Sequence, residues 1–213
     1  MKSSLKKLLL VLSIAACALP AHAANYFSDN QPVDNVVNAG RVQPLGEVEV
    51  VGFFWYGCPN CDVFEPYMQA WVKELPPPVK FIRLPASWNP SMVHQQRLYF
   101  TLEALNRLDL HNKVFNDIHK RKLSLNTPES IARWAVAQKI NATTWNAAYN
   151  SQAVTDRVAY AQAAFKRFEL SWVPALVING KRVVAYTPDI LNNAEQAVQQ
   201  ELRALEPSTI KGK

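Results

Sequence analysis

Val48-Glu49-Val50-Val51-Gly52-Phe53-Phe54-Trp55-Tyr56-Gly57-Cys58-Pro59-Asn60-Cys61 is the stretch that decides the fold. Seven of its first nine residues are β-branched or aromatic, the composition of a strand in the middle of a sheet. Beyond Asp62, the residues Phe64, Tyr67, Met68, Trp71, Val72 and Leu75 recur at steps of three and four, which predicts a helix with one buried face. A strand that delivers two thiols, one helical turn apart, to a helix N-terminus is the setting of a redox dithiol. The first sulfur there meets the partial positive charge of unpaired backbone N–H groups, which favours thiolate over thiol. Thiolate is the species that attacks disulfides.

Outward from this stretch the chain divides in three. Residues 24–88 read as strand, strand, helix, strand; the last, Val79-Lys80-Phe81-Ile82-Arg83-Leu84, follows the breaker Pro76-Pro77-Pro78. Strand, helix, strand is a βαβ unit with parallel pairing. Residues 89–169 read as helix throughout. Leu98, Leu102, Leu105 and Leu108 mark one apolar face, and Val114, Phe115 and Ile118 another. Thr127-Pro128-Glu129 opens a capped helix bearing Ile131, Trp134 and Ala135. Trp145 and Tyr149 fall on a short segment, and Val154, Val158, Phe165 and Phe168 on a long one. Such a block is an inserted helical subdomain rather than a loop. In residues 170–213, Ala175-Leu176-Val177-Ile178 meets Asn179-Gly180, a strong hairpin signal, and Lys181 to Ala185 runs back. A final helix follows Thr187-Pro188-Asp189. The expected architecture is α/β: βαβ, helical insertion, β-hairpin, α, with a frayed tail after Pro207.

The N-terminus reads as an export signal. Lys2, Lys6 and Lys7 precede the apolar run Leu8 to Ala16, and Ala21-His22-Ala23 provides a cleavage site after Ala23. The run is too short to anchor the chain in a bilayer. Ile14-Ala15-Ala16-Cys17 resembles a lipobox and offers the alternative of a lipid on Cys17. Removing residues 1–23 lowers the formal charge from +6 to +3, a mildly basic surface and no footprint for nucleic acid. The run Lys120-Arg121-Lys122 reads as a solvated face. Cys17 leaves with the signal, so Cys58 and Cys61 remain alone, a working couple rather than part of a disulfide framework. Zinc would need about four ligands, and His94, His111 and His119 show no ligand spacing around the pair. No metal and no cofactor are expected, and the histidines receive no role.

Phe53-Phe54 leading to Cys58-Pro59-Asn60-Cys61, Phe64-Glu65 after it, the helical insertion, and Trp172-Val173-Pro174 before the returning strand together resemble the thioredoxin-fold proteins of the DsbA family. The resemblance covers essentially the whole chain after the signal. It implies a periplasmic thiol–disulfide oxidase, monomeric, which donates the Cys58–Cys61 disulfide to newly exported cysteine-containing proteins and is reset by a membrane reoxidant like DsbB. Cys58 is then the exposed, attacked sulfur and Cys61 its buried partner. A fall of the Cys58 pKa from about 8.5 to about 5 would favour its thiolate by roughly 5 kcal/mol.

The resemblance also implies that Pro174 is cis and lies against the dithiol, with the Val173 backbone pairing with the peptide being oxidised. Trp55, Tyr56 and Trp172 are candidates for an apolar docking surface or for core. Glu65 is either a buried acid exchanging a proton with Cys61 or a solvent-facing residue, and Pro66 a tolerated helix proline. Pro59 and Asn60 complete the environment of the sulfurs. Two departures stand out: Asn60 where many relatives have histidine, and Gly52 where many carry a strand glutamate. The first removes a cation beside the Cys58 thiolate; the second removes either a proton relay or a negative charge whose loss eases thiolate formation. A reductase or isomerase of the same fold is the alternative enzyme, although some 30 residues before the main strand leave no room for a dimerisation domain. A redox-independent peptide-binding chaperone is the alternative of another class.

Overall fold

The computed structural model describes residues 46–205. The signal, Cys17, the strand expected ahead of Val48 and the tail after Pro207 lie outside the described residues.

Strand β1 (Val48–Phe54) is buried along its whole length because it is central in a four-stranded sheet of order β2-β1-β3-β4. β2 (Val79–Pro85) pairs parallel with it, Val48 opposite Val79 through Phe54 opposite Pro85. On the other side β3 (Ala175–Ile178) runs antiparallel, with Phe53 opposite Ala175, and β4 (Arg182–Ala185) closes the edge. Asn179 and Gly180 both have positive φ, 53° and 64°, at the centre of a turn closed by the Lys181 N–H on the Ile178 carbonyl at 3.0 Å; because Ile178 pairs with Arg182, the Asn-Gly hairpin has a three-residue loop that includes Lys181. The register brings the C-terminal ends of β1 and β2 and the N-terminal end of β3 to one edge of the sheet, and the dithiol leaves from that edge.

Helix α1 (Pro59–Glu74) joins β1 to β2, and α7 (Ile190–Leu205) follows β4. Between β2 and β3 the described chain contains five helices and no strand: α2 (Val93–Ala104), α3 (His111–His119), α4 (Pro128–Ala137), α5 (Ala142–Tyr149) and α6 (Gln152–Arg167). Each of the last three begins with a side-chain cap, from Thr127, Asn141 and Ser151, so the block is punctuated by its own sequence. Alternation along β1 splits the core in two. Val48 and Val50 pack with Phe64 and Met68 of α1 and Val198 of α7. Val51 and Phe53 face the insertion, where Leu98, Phe115, Ile131, Trp145 and Phe165 form the larger cluster.

Helix α1 corrects one expectation. Its buried stripe is Cys61, Phe64, Glu65 and Met68, whereas Tyr67 is 64% exposed. The helix continues through Pro66, which lies on the exposed side.

Candidate active site

β1 ends at Phe54 and the chain turns through Trp55-Tyr56-Gly57, closed by the Cys58 N–H donating to the Trp55 carbonyl at 3.0 Å. The Trp55 indole lies across the backbone of this turn, and a Cβ on Gly57 would run into its ring. Only glycine fits there. Cys58 is the N-cap of α1: its backbone is extended, Pro59 occupies the first turn, and Cys58 Sγ accepts from the Cys61 N–H at 3.1 Å. A sulfur thus does the work of a serine or aspartate cap.

Both thiols are free, and both are buried. Cys58 retains 7% exposure and Cys61 2%, so the expectation of an exposed Cys58 is corrected to a less deeply covered one. The cover includes the loop before β3: Cys58 Sγ donates to the Val173 carbonyl at 3.5 Å, and the Val173–Pro174 peptide bond is cis. Val173 and Pro174 are buried, while Trp172 beside them is 45% exposed. Pro59 and Asn60 face solvent.

The sulfurs differ in acidity. Interaction with Cys61 lowers Cys58 most; burial opposes it, and backbone N–H groups of Cys61 and Asn60 add to the fall, leaving Cys58 at about 7. That is a smaller shift than the expected about 5. Burial pushes the Cys61 thiol far up, and the adjacent Cys58 sulfur pushes it further. At neutral pH the first sulfur is partly thiolate and the second a thiol.

Glu65, one turn below Cys61, is buried and densely held. Its Oε1 accepts from Arg83 at 2.7 Å and from Gln69 at 2.9 Å, and His111 Nε2 stands 3.4 Å away. Burial raises this carboxyl, but His111, Arg83 and Gln69 outweigh it and hold it below the ordinary range. His111 comes from α3 and lies among the rings of Phe54, Tyr56, Tyr99 and Phe115, its Nδ1 2.8 Å from the Tyr56 hydroxyl. Burial keeps its imidazole below its ordinary pKa, against the pull of Glu65. Tyr56 is therefore core and no docking surface, and His111 is no bystander. Sequence reading missed His111 because 46 positions separate it from Glu65, with no motif linking them. His119 also reaches the turn, its Nε2 donating to the Tyr56 carbonyl at 2.8 Å, and Lys120 pairs with Asp62 at 3.3 Å.

Gly52 faces α1, where a Cβ would meet the Phe81 ring at 2.8 Å and Met68 Sδ at 3.4 Å. There is no room for a strand carboxylate, and the buried acid near the dithiol comes from helix α1 instead. Among the described residues, no three His, Cys, Asp or Glu side chains converge to hold a metal ion.

A parallel βαβ unit, a returning β-hairpin and a Cys-x-x-Cys at the start of the crossover helix define a thioredoxin-fold dithiol protein. Residues 66–197 match the family model of the DSBA-like thioredoxin domain. The thiol:disulfide interchange protein DsbA of Pseudomonas aeruginosa is 35% identical over 185 residues, which cover 83% of this chain and 85% of that protein. DsbA of Burkholderia cepacia is 34% identical over 206 residues, covering 92% and 93%. The crystal structure of Pseudomonas aeruginosa DsbA aligns with a TM-score of 0.72 at 33% identity, over 78% of this chain and 89% of that one. The chain belongs to the DsbA family, with its thioredoxin fold and helical insertion, and is a thiol:disulfide oxidoreductase.

Proposed function

We propose that this oxidoreductase works as an oxidase in the periplasm, donating the Cys58–Cys61 disulfide to newly exported proteins. The observation that carries the reading is the asymmetry of the pair. Cys58, lowered to about 7 by its N-terminal position and by Cys61, is the better leaving group; Cys61, raised by burial, is the thiol that stays protonated.

In the oxidised protein a substrate thiolate attacks Cys58 Sγ. The Cys58–Cys61 bond breaks, and its electron pair leaves on Cys61, which takes up a proton. The second substrate thiolate then attacks the substrate sulfur of the mixed disulfide and expels Cys58 as thiolate. Its low pKa makes this departure fast. The Val173 carbonyl, 3.5 Å from Cys58 Sγ, is a backbone acceptor that an extended substrate strand can pair with, next to the exposed Trp172. Pro59 and Asn60 border the same opening. The redox couple needs no further cofactor, and the spent dithiol is reoxidised by a membrane partner of the DsbB type. Export by cleavage after Ala23, with lipidation at Cys17 as the alternative, and a monomeric state belong to the same reading.

The equilibrium of the dithiol against glutathione tests it. An oxidase is substantially reduced in a glutathione buffer poised at about −200 mV, whereas a pair that remains oxidised there marks a reductase. A Cys58 at about 7 rather than 5 makes the couple a milder oxidant than a more acidic thiol would. A protein that still assists folding with both cysteines replaced would be a chaperone.

A further inference from the structure

The buried group around Glu65 contains a side chain that the reaction above does not use. Arg83 from β2 and Gln69 from α1 donate to Glu65 Oε1, and His111 Nε2 from the helical insertion, buried and with no hydrogen-bond partner of its own, stands 3.4 Å from the same oxygen. None of the three takes Oε2. Cys61 and Glu65 are four residues apart on α1, which places them on one face of the helix, and both are buried. Glu65 is therefore a carboxylate with one oxygen clamped and one left for a proton, a turn away from the thiol that must lose one.

We propose that His111 is a positioning residue for the dithiol: it holds the Glu65 carboxylate so that Glu65 accepts the Cys61 proton when Cys61 attacks. This rests on the reading of Cys58–Cys61 as a working redox pair.

The hydrogen-bond pattern fixes the form of the ring. An ionised carboxylate only accepts, so Nε2 carries the hydrogen toward Glu65 and Nδ1 accepts from the Tyr56 hydroxyl. Tyr56 stays protonated, since burial holds its pKa well above the ordinary value, and so supplies that hydrogen. The groups facing His111 are thus Glu65 of α1, Tyr56 of the active-site turn and Tyr99 of α2, with Arg83 of β2 behind Glu65. Arg83 brings charge to the carboxylate; neutral His111 brings a directed donor anchored at its far end.

The step concerned is closure of the disulfide. Once Cys58 has attacked an external disulfide, Cys58 Sγ is bonded to a partner sulfur. Cys61 gives its proton to Glu65 Oε2, and its thiolate attacks Cys58 Sγ. The Cys58–Cys61 bond forms, the bond to the partner breaks, and the electron pair leaves on the partner thiolate. Glu65 then returns its proton to solvent. With His111 removed, the carboxylate loses a donor and is harder to ionise, so closure needs a higher pH.

The test uses the purified protein with Cys58 in a mixed disulfide with glutathione, and follows release of glutathione from pH 4 to 9. In the wild-type protein the rate holds into mildly acidic pH. In His111→Leu the acid limb moves up by about one pH unit, the loss expected when an N–H 3.4 Å from a buried carboxylate is removed. His111→Gln, which keeps an N–H donor, restores most of the shift, and Glu65→Gln removes the limb. The pH profile of Cys58 alkylation stays within about twofold in all three, because its acidity is set by Cys61 and the helix terminus. A His111→Leu profile that overlays the wild type, or a His111→Gln profile displaced as far as that of His111→Leu, overturns the proposal. A lower denaturation midpoint with an unmoved profile does the same, since that is the mark of packing alone. A wild-type protein that closes its disulfide in this way yet cannot oxidise a reduced protein sinks the oxidase reading and leaves this one standing.

Discussion

At the sulfur of Cys58, the difference from an ordinary thiol comes from the Cys61 neighbour and the first backbone N–H groups of α1. Cys58→Ser therefore abolishes oxidation of a reduced test protein, while Cys61→Ala keeps the attacked sulfur and accumulates mixed disulfides visible by non-reducing gel or mass. Labelling of Cys61 ahead of Cys58 in the dithiol at mildly acidic pH would reverse the two roles. The neighbouring Asn60 has an exposed neutral side chain in the first helical turn. Asn60→His places a cation there, and a charge-assisted hydrogen bond is worth about 1.5–3 kcal/mol. The Cys58 pKa then falls below its present value of about 7, and the couple becomes more oxidising by some tens of millivolts. Thiolate absorbance titrated in both proteins decides it; an unmoved pKa leaves Cys61 and the helix terminus in control.

Among the elements, α3 does more than fill the insertion. His111 and His119 reach the active-site turn from it, and Asp117 ties it to α4 by accepting the Trp134 indole N–H at 2.7 Å. Lys113 and Arg121 pair with the same carboxylate. Asp117→Ala strands a buried indole donor and should cost about 1–3 kcal/mol by denaturant midpoint, with Cys58 alkylation unchanged. Strand β1, the Cys-x-x-Cys, the capped helices and the Asn-Gly hairpin were all legible in the sequence, because each is set by local periodicity or local turn chemistry. The side of α1 that Tyr67 and Glu65 occupy was not. The aromatic pattern draws the buried face toward Tyr67, whereas the stripe runs through Cys61, Phe64, Glu65 and Met68 because the dithiol and Arg83 lie there. A carboxylate on that stripe becomes tolerable only through Arg83, Gln69 and His111, partners that lie 4 to 46 positions away and are unconnected by any motif. The covered state of Cys58 was hidden for a similar reason: Val173 closes on it from 115 positions away.

Over the whole molecule, the dithiol couples folding to pH with a sign that can be worked out. Cys58 has a folded pKa of about 7, below its value in the unfolded chain near 8.5. Between these two pH values the unfolded chain carries the extra proton, so stability of the reduced protein rises with pH and is lost as pH falls through about 7. Cys61 is displaced the other way: burial raises it, the folded protein keeps a proton that the unfolded chain releases, and stability falls once pH passes the unfolded value. The disulfide form has neither group. The difference in stability, reduced minus oxidised, therefore climbs from pH 6 toward a maximum between about 8 and 9 and declines above it. For an oxidase, reduced exceeds oxidised at that maximum, against the usual sense of a disulfide cross-link. Urea midpoints of both redox forms from pH 6 to 10 give this curve. A difference that stays flat through pH 7–8.5 shows that the Cys58 thiolate is not stabilised by folding, and the driving force for disulfide donation must then be sought elsewhere than at the start of α1.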